Sequence, residues 1–208
     1  MSAPPPFLTL RRFVPAKNGV ERCDLCGVPL PPEHPHLLEV SARRLVCACD
    51  ACSILFCHRA ASTYRRVGRN VRVLDQFQMS DVEWESLLLP IGLAFFVYNT
   101  PAARVMAFYP SPAGPAESLL TLESWSEIAA RNTVLQEMEP DVEALLVNRI
   151  GEAREYYMAP IDRCYHLVGL IRTKWTGLSG GDEVWEGIAR FFADLRESGT
   201  VTLPESVR

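Results

Sequence analysis

Lysine is nearly missing from this chain: of its 21 basic residues only Lys17 and Lys174 are lysine, and the rest are arginine. That bias reads as genome composition and carries no mechanism. Long apolar runs are missing too. The longest, Leu87 to Tyr98, spans twelve residues and contains Pro90, whereas a bilayer crossing needs about 20. No transmembrane helix and no membrane partner are expected. The opening residues, MSAPPPFLTLRR, show neither a basic leader nor an apolar stretch behind it. No secretory signal is visible, and a cytoplasmic location is expected. Phosphate loops and His-Glu-x-x-His sites are missing as well. Gly177-Leu-Ser179-Gly-Gly181 does not match a nucleophile elbow, because no strand clearly precedes it. Glu137, Glu139, Asp141 and Glu143 read as a solvated acidic edge rather than an acid/base pair. No catalytic residue is assigned, and the chain is not read as an enzyme.

What is present is an ordinary globular composition, 48% apolar and 22% charged, with charge and cysteine unevenly spread. Residues 1–70 hold ten basic and five acidic side chains, and the remainder hold eleven and twenty. Six of the seven cysteines lie between Cys23 and Cys57. A disulfide framework is out of place in a reducing compartment. The pattern predicts an extended proline-rich arm over 1–20, a basic zinc-ribbon-like four-cysteine module over 21–70, and an acidic α+β body over 71–208.

Cys23-Asp-Leu-Cys26-Gly27 places two thiols at a tight turn whose glycine lets the chain reverse. Cys49-Asp-Ala-Cys52 follows, giving C-x2-C-x22-C-x2-C, just outside the usual four-cysteine spacing. Cys23, Cys26, Cys49 and Cys52 are the expected metal ligands, since a module this short needs a metal to fold. Cys47, two residues before Cys49, competes with it for the third position. Cys57 reads as a buried thiol under the site, and His34 and His36 as surface residues of the intervening loop. Zinc is the expected ion. Iron, as in a rubredoxin-like electron carrier, is the rival, because four thiolates alone do not separate the two. Arg43, Arg44, Arg59, Arg65, Arg66 and Arg69 flank the module and favour zinc. They also raise a nucleic-acid-binding zinc ribbon, but the acidic body should repel phosphates and no nucleic-acid partner is expected.

In the body, Ser80-Asp-Val-Glu83 has capping-box form and predicts a helix to Leu89, stopped by Pro90. Gly92–Tyr98 and Ala103–Tyr109 predict a hairpin, and Pro110–Pro115 a loop. A helix is expected over Leu122–Arg131, and a second hairpin, Glu143–Ile150 with Ala153–Ala159, about Gly151-Glu152. Asp162–Trp175 is apolar nearly all round and predicts a buried helix, in which His166 is a partly buried packing residue. Asp182 is the expected cap of a last helix bearing Val184, Trp185, Ile188, Phe191, Phe192 and Leu195. The architecture expected is about four antiparallel strands with helices on one face.

Cys23-Asp-Leu-Cys26-Gly-Val-Pro-Leu-Pro, Cys47-Ala-Cys49-Asp-Ala-Cys52, Gly92-Leu-Ala-Phe-Phe, Tyr109-Pro-Ser-Pro-Ala-Gly and Leu178-Ser-Gly-Gly together resemble a largely actinobacterial domain-of-unknown-function family encoded beside high-affinity nickel–iron (NiFe) hydrogenase genes. The resemblance runs from Arg22 to about Arg196. It implies an accessory role, in assembling or maturing the hydrogenase or in relaying electrons to it, with a hydrogenase subunit or maturation protein as partner. It supplies no catalytic residue. Arg43 and Arg44, between the cysteine pairs, are the expected partner-binding residues.

Overall fold

The computed structural model describes residues 20–57, 62–118 and 125–201. The expected arm, and the first residues of the helix expected from Leu122, lie outside them. Two sheets result. The smaller has three strands in the order β2-β1-β3 (β1 His36–Glu39, β2 Arg44–Cys47, β3 Tyr64–Arg66), with helix α1, Asp50–Cys57, following β2. The larger has seven strands, β4 (Arg72–Val73), β5 (Leu93–Asn99), β6 (Arg104–Ser111), β7 (Gly114–Glu117), β8 (Glu143–Asn148), β9 (Glu155–Pro160) and β10 (Thr200–Val201). Their order is β10-β4-β9-β8-β5-β6-β7, antiparallel throughout except for the β10–β4 pair. The α+β class is as expected.

The larger sheet is covered on both faces, not one. Along β5, Leu93, Phe95 and Val97 face one core while Ala94 and Phe96 face another, because strand residues alternate sides. On the first face lie α4 (Ile161–Lys174) and α5 (Asp182–Ser198), which contribute Leu167, Val168, Ile171, Ile188 and Phe192. The second face takes Leu87, just after α2 (Asp81–Ser86), together with Ile128 of α3 (Trp125–Arg131) and Leu135 of a 3-10 turn over Thr133–Glu137. These helices are short, but the unbroken run Leu-Ala-Phe-Phe-Val in β5 is what two-sided burial demands.

Both expected hairpins form, with Phe95 opposite Phe108 and Leu146 opposite Tyr157. The capping box is also there: Ser80 N–H donates to Glu83 (2.8 Å) and Glu83 N–H to the Ser80 hydroxyl (3.2 Å). The helix ends at Ser86 rather than Leu89, and Leu88 takes a positive φ of 51°. Pro110–Pro115 is not a loop. β6 runs on to Ser111 and pairs with β7, Pro110 opposite Pro115. The missing N–H groups are tolerated because β7 is an edge strand and Pro110 lies beyond the β5 ladder. Asp182 is the first residue of α5, not its cap, which is Gly181 at φ 74°. A Cβ there would meet the Thr176 hydroxyl at 2.6 Å. Helix α4 buries one stripe, not its whole circumference, and His166 on it is exposed, edge-on to Phe191.

Candidate metal centre

The first cysteine pair sits on a small knuckle. Cys23 N–H donates to Val28 O and Gly27 N–H to Cys23 O, both at 2.8 Å, and Gly27 takes φ 76°. Asp24 ties this knuckle to the end of β2: its N–H donates to Cys47 O (2.9 Å) and its carboxylate accepts from Cys47 N–H (2.6 Å). The second pair is built differently. β2 stops at Cys47, the chain turns, and Cys49 immediately precedes α1 while Cys52 lies in its first turn. The Cys52 N–H points at Cys49 Sγ, 3.4 Å away. The two pairs thus come from a knuckle and from a helix N-terminus that faces it.

The four sulfurs converge. Cys23, Cys26, Cys49 and Cys52 place their Sγ atoms within 4.8 Å of one another, and Cys26 and Cys49 are 3.8 Å apart. Two of the thiols are shifted in opposite directions. Burial pushes Cys23 up, but N–H groups of Cys49, Leu25 and Cys26 outweigh it and bring the thiol down to about 6. Cys52 is pushed up to about 12 by burial and by the neighbouring thiols of Cys49, Cys26 and Cys23. Backbone N–H groups thus favour a thiolate at Cys23, and a bound cation would favour thiolates at the sulfurs beside it. Such a cluster can hold one metal ion in tetrahedral thiolate coordination.

Cys47 does not join that cluster. Its sulfur is outside the four-thiol group, although Cys47, like Cys49, packs against the small cysteine core. Cys57 is half-buried and outside the cluster, and Ile54, Leu55 and Phe56 before it are exposed rather than packed under the site. The two candidate partner arginines lie where the β1–β2 turn enters β2, Arg43 ending the turn and Arg44 opening the strand. Arg44 pairs with Glu39 (2.8 Å), while Arg43 reaches the larger sheet, 3.3 Å from Glu117 and 5.7 Å above the Phe108 ring. Arg65–Asp141 (3.5 Å) and His36–Asp162 (2.8 Å) also join basic residues of the first region to acidic ones of the second.

His34 and His36 are more than loop residues. His34 is buried, and His36 opens β1 directly across from Cys47. The signal for them was a His-x-His step beside a strand. Reading it needed the β1–β2 register, which the cysteine spacing does not supply.

Fold and site together define an α+β protein with two antiparallel-dominated sheets and a four-cysteine cluster able to hold a metal. Residues 22–199 match a family of unknown function, DUF5947, and the chain belongs to that family. It has no match among curated proteins and none among solved structures. Among the described residues, no helix is long and apolar enough to cross a membrane.

Proposed function

We propose that this is a zinc-binding accessory protein that works by docking on a protein partner. The observation that carries the reading is the convergence of Cys23, Cys26, Cys49 and Cys52 from a knuckle and a helix N-terminus. Residues 21–70 are the metal module and 71–208 the body. Bound zinc fixes the module's backbone, so the β1–β2 turn offers Arg44 and Arg43 in one geometry, which lowers the ordering cost of association. Arg44 is the more open of the two and pairs with Glu39, while Arg43 pairs with Glu117. The hydrogenase-linked family resemblance makes a NiFe hydrogenase subunit, or a protein that matures it, the partner proposed, and assembly the step served.

The test joins metal analysis with co-purification from a native host. Protein purified under reducing conditions is expected to be colourless and to contain zinc, and to bring down hydrogenase components. Arg43→Glu/Arg44→Glu should abolish co-purification with metal content unchanged. A red protein with thiolate-to-iron absorption overturns zinc in favour of a rubredoxin-like carrier, a reading that exposed Cys26 would serve by letting electrons reach the iron. Normal co-purification of the double variant overturns the arginine surface, and intact hydrogenase activity after gene deletion overturns the hydrogenase role.

A further inference from the structure

A second group of metal-ligating side chains lies at the His36–Cys47 end of the β1–β2 ladder. His36 stands across the β1–β2 ladder from Cys47, which puts both side chains on one face. His34 turns to meet them, its ring edge-on to that of His36 with centroids 5.0 Å apart. A ring nitrogen of His34, a ring nitrogen of His36 and Cys47 Sγ all lie within 4.8 Å of one another. None of the three belongs to the four-cysteine cluster.

Among the described residues, the hydrogen bonds of the two rings engage the same atom, Nδ1, in each. His34 Nδ1 lies 2.9 Å from Pro31 O, and a carbonyl only accepts, so Nδ1 carries the proton and Nε2 the lone pair. That Nε2 is buried without a hydrogen-bond partner among the described residues, on a side chain only 4% exposed. An unmet buried nitrogen is costly, and a metal ion would take its lone pair. His36 Nδ1 donates to Asp162 Oδ2 at 2.8 Å. A carboxylate on the far nitrogen fixes the tautomer and strengthens Nε2 as a ligand, the arrangement common behind metal-bound histidines. The other Asp162 oxygen, Oδ1, is also buried and unpartnered. Both histidines line a cleft of about 700 Å³ whose walls include Arg66, Arg69, Asp162 and His166.

We propose that His34, His36 and Cys47 bind one late first-row transition-metal dication, of the zinc, cobalt and nickel group, with a fourth position open to the cleft. Two imidazoles and a thiolate suit these ions and not calcium or magnesium, which take oxygen ligands. Three protein ligands and one open position are the pattern of sites that exchange a ligand or activate water, in contrast to closed structural sites. Asp162 is a positioning residue, acting through His36. The site does not depend on the four-cysteine reading, and the two are separable by experiment.

The full chain is expressed in cobalt-supplemented medium, purified under reducing conditions, and its metal counted by mass spectrometry alongside its visible absorption. Two equivalents are expected for the native sequence. Cys47→Ser, and the volume-keeping His34→Gln/His36→Gln, should each retain one, with the tetrathiolate cobalt spectrum intact. Asp162→Asn should keep both ions but lose the second to a competing chelator about 10–100-fold more readily. One equivalent in the native protein that survives both Cys47→Ser and the histidine double variant overturns this site and leaves the four-cysteine reading standing. One equivalent lost in Cys47→Ser but kept in Cys49→Ser supports this site and overturns that reading. Two equivalents retained in every variant, or none in the native protein, overturns it.

Discussion

Around the three-stranded sheet the buried core is Cys23, Leu30, Leu37, Val46, Ala48 and Cys52, so two of its members are metal-ligand candidates. The seven-stranded sheet buries Phe95, Leu146, Tyr157, Ile171 and Phe192 on one face and Phe96, Leu145, Met158 and Ile128 on the other. At about 25 cal/mol per Å² of apolar surface, burial on both faces is the main source of stability in the second region. The first has too few side chains to do the same. Its strands pair, but β1 divides its loyalty: Leu37 faces the cysteine core while Leu38 packs into the core of the larger sheet. One region gathers its candidate ligands at a point, and the other spreads its core over an area.

The largest effect expected follows from that contrast. Binding of a structural zinc contributes roughly 10–16 kcal/mol in small metal-dependent domains. Chelation under reducing conditions, or Cys52→Ser, should therefore strip hydrogen-exchange protection from β1, β2 and β3 while β5, β8 and β9 retain theirs. If the central strands lose protection together with the small sheet, the two regions form one cooperative unit and the comparison breaks.

The converse variant is smaller in effect and acts on the other region. Phe95 is 1% exposed and stacks on Phe108 across the hairpin, with centroids 5.3 Å apart. Phe95→Ala should cost about 3–5 kcal/mol in the global unfolding transition. Metal content should stay at the native level. A variant that loses metal in proportion to stability would show that the cysteine cluster depends on the larger sheet for its shape.

Local features were legible in the sequence, and long-range ones were not. Cys23, Cys26, Cys49 and Cys52 stood out because ligands at short spacing must converge. Ser80 and Glu83 did so because a capping box is complete within four residues. Both hairpins followed from alternation and turn residues. The meeting of His36 with Asp162, 126 residues away, has no local signature. Nor has the burial of the second sheet face, which depends on where Leu87, Ile128 and Leu135 arrive after the strands have paired. The Pro110–Pro115 ladder misled for a physical reason: proline forbids a strand only where its N–H is required, and the sheet edge that excuses it is a tertiary fact.

The smallest effect sharpens the comparison by its pH dependence, since it belongs to the larger region alone. Glu83 is buried on α2, where the Ser80 hydroxyl and backbone N–H hold its carboxyl below the ordinary value of 4.5, helped by the Arg131 charge and opposed by burial. A carboxyl depressed on folding contributes stability above its unfolded value, and that contribution is lost as pH falls through the lower folded value. Glu83→Gln should therefore unfold at a lower temperature than the native chain at pH 7. The gap should narrow as pH drops below about 4.5 and the native Glu83 takes up its proton. Ser80→Ala, which removes the hydroxyl from both hydrogen bonds, should cost about 1 kcal/mol at neutral pH and less in acid. Thermal melts of the three proteins between pH 3 and pH 7, with metal content measured alongside, check this. A gap that stays constant across that range would mean that Glu83 acts by shape and hydrogen bonding and not by charge.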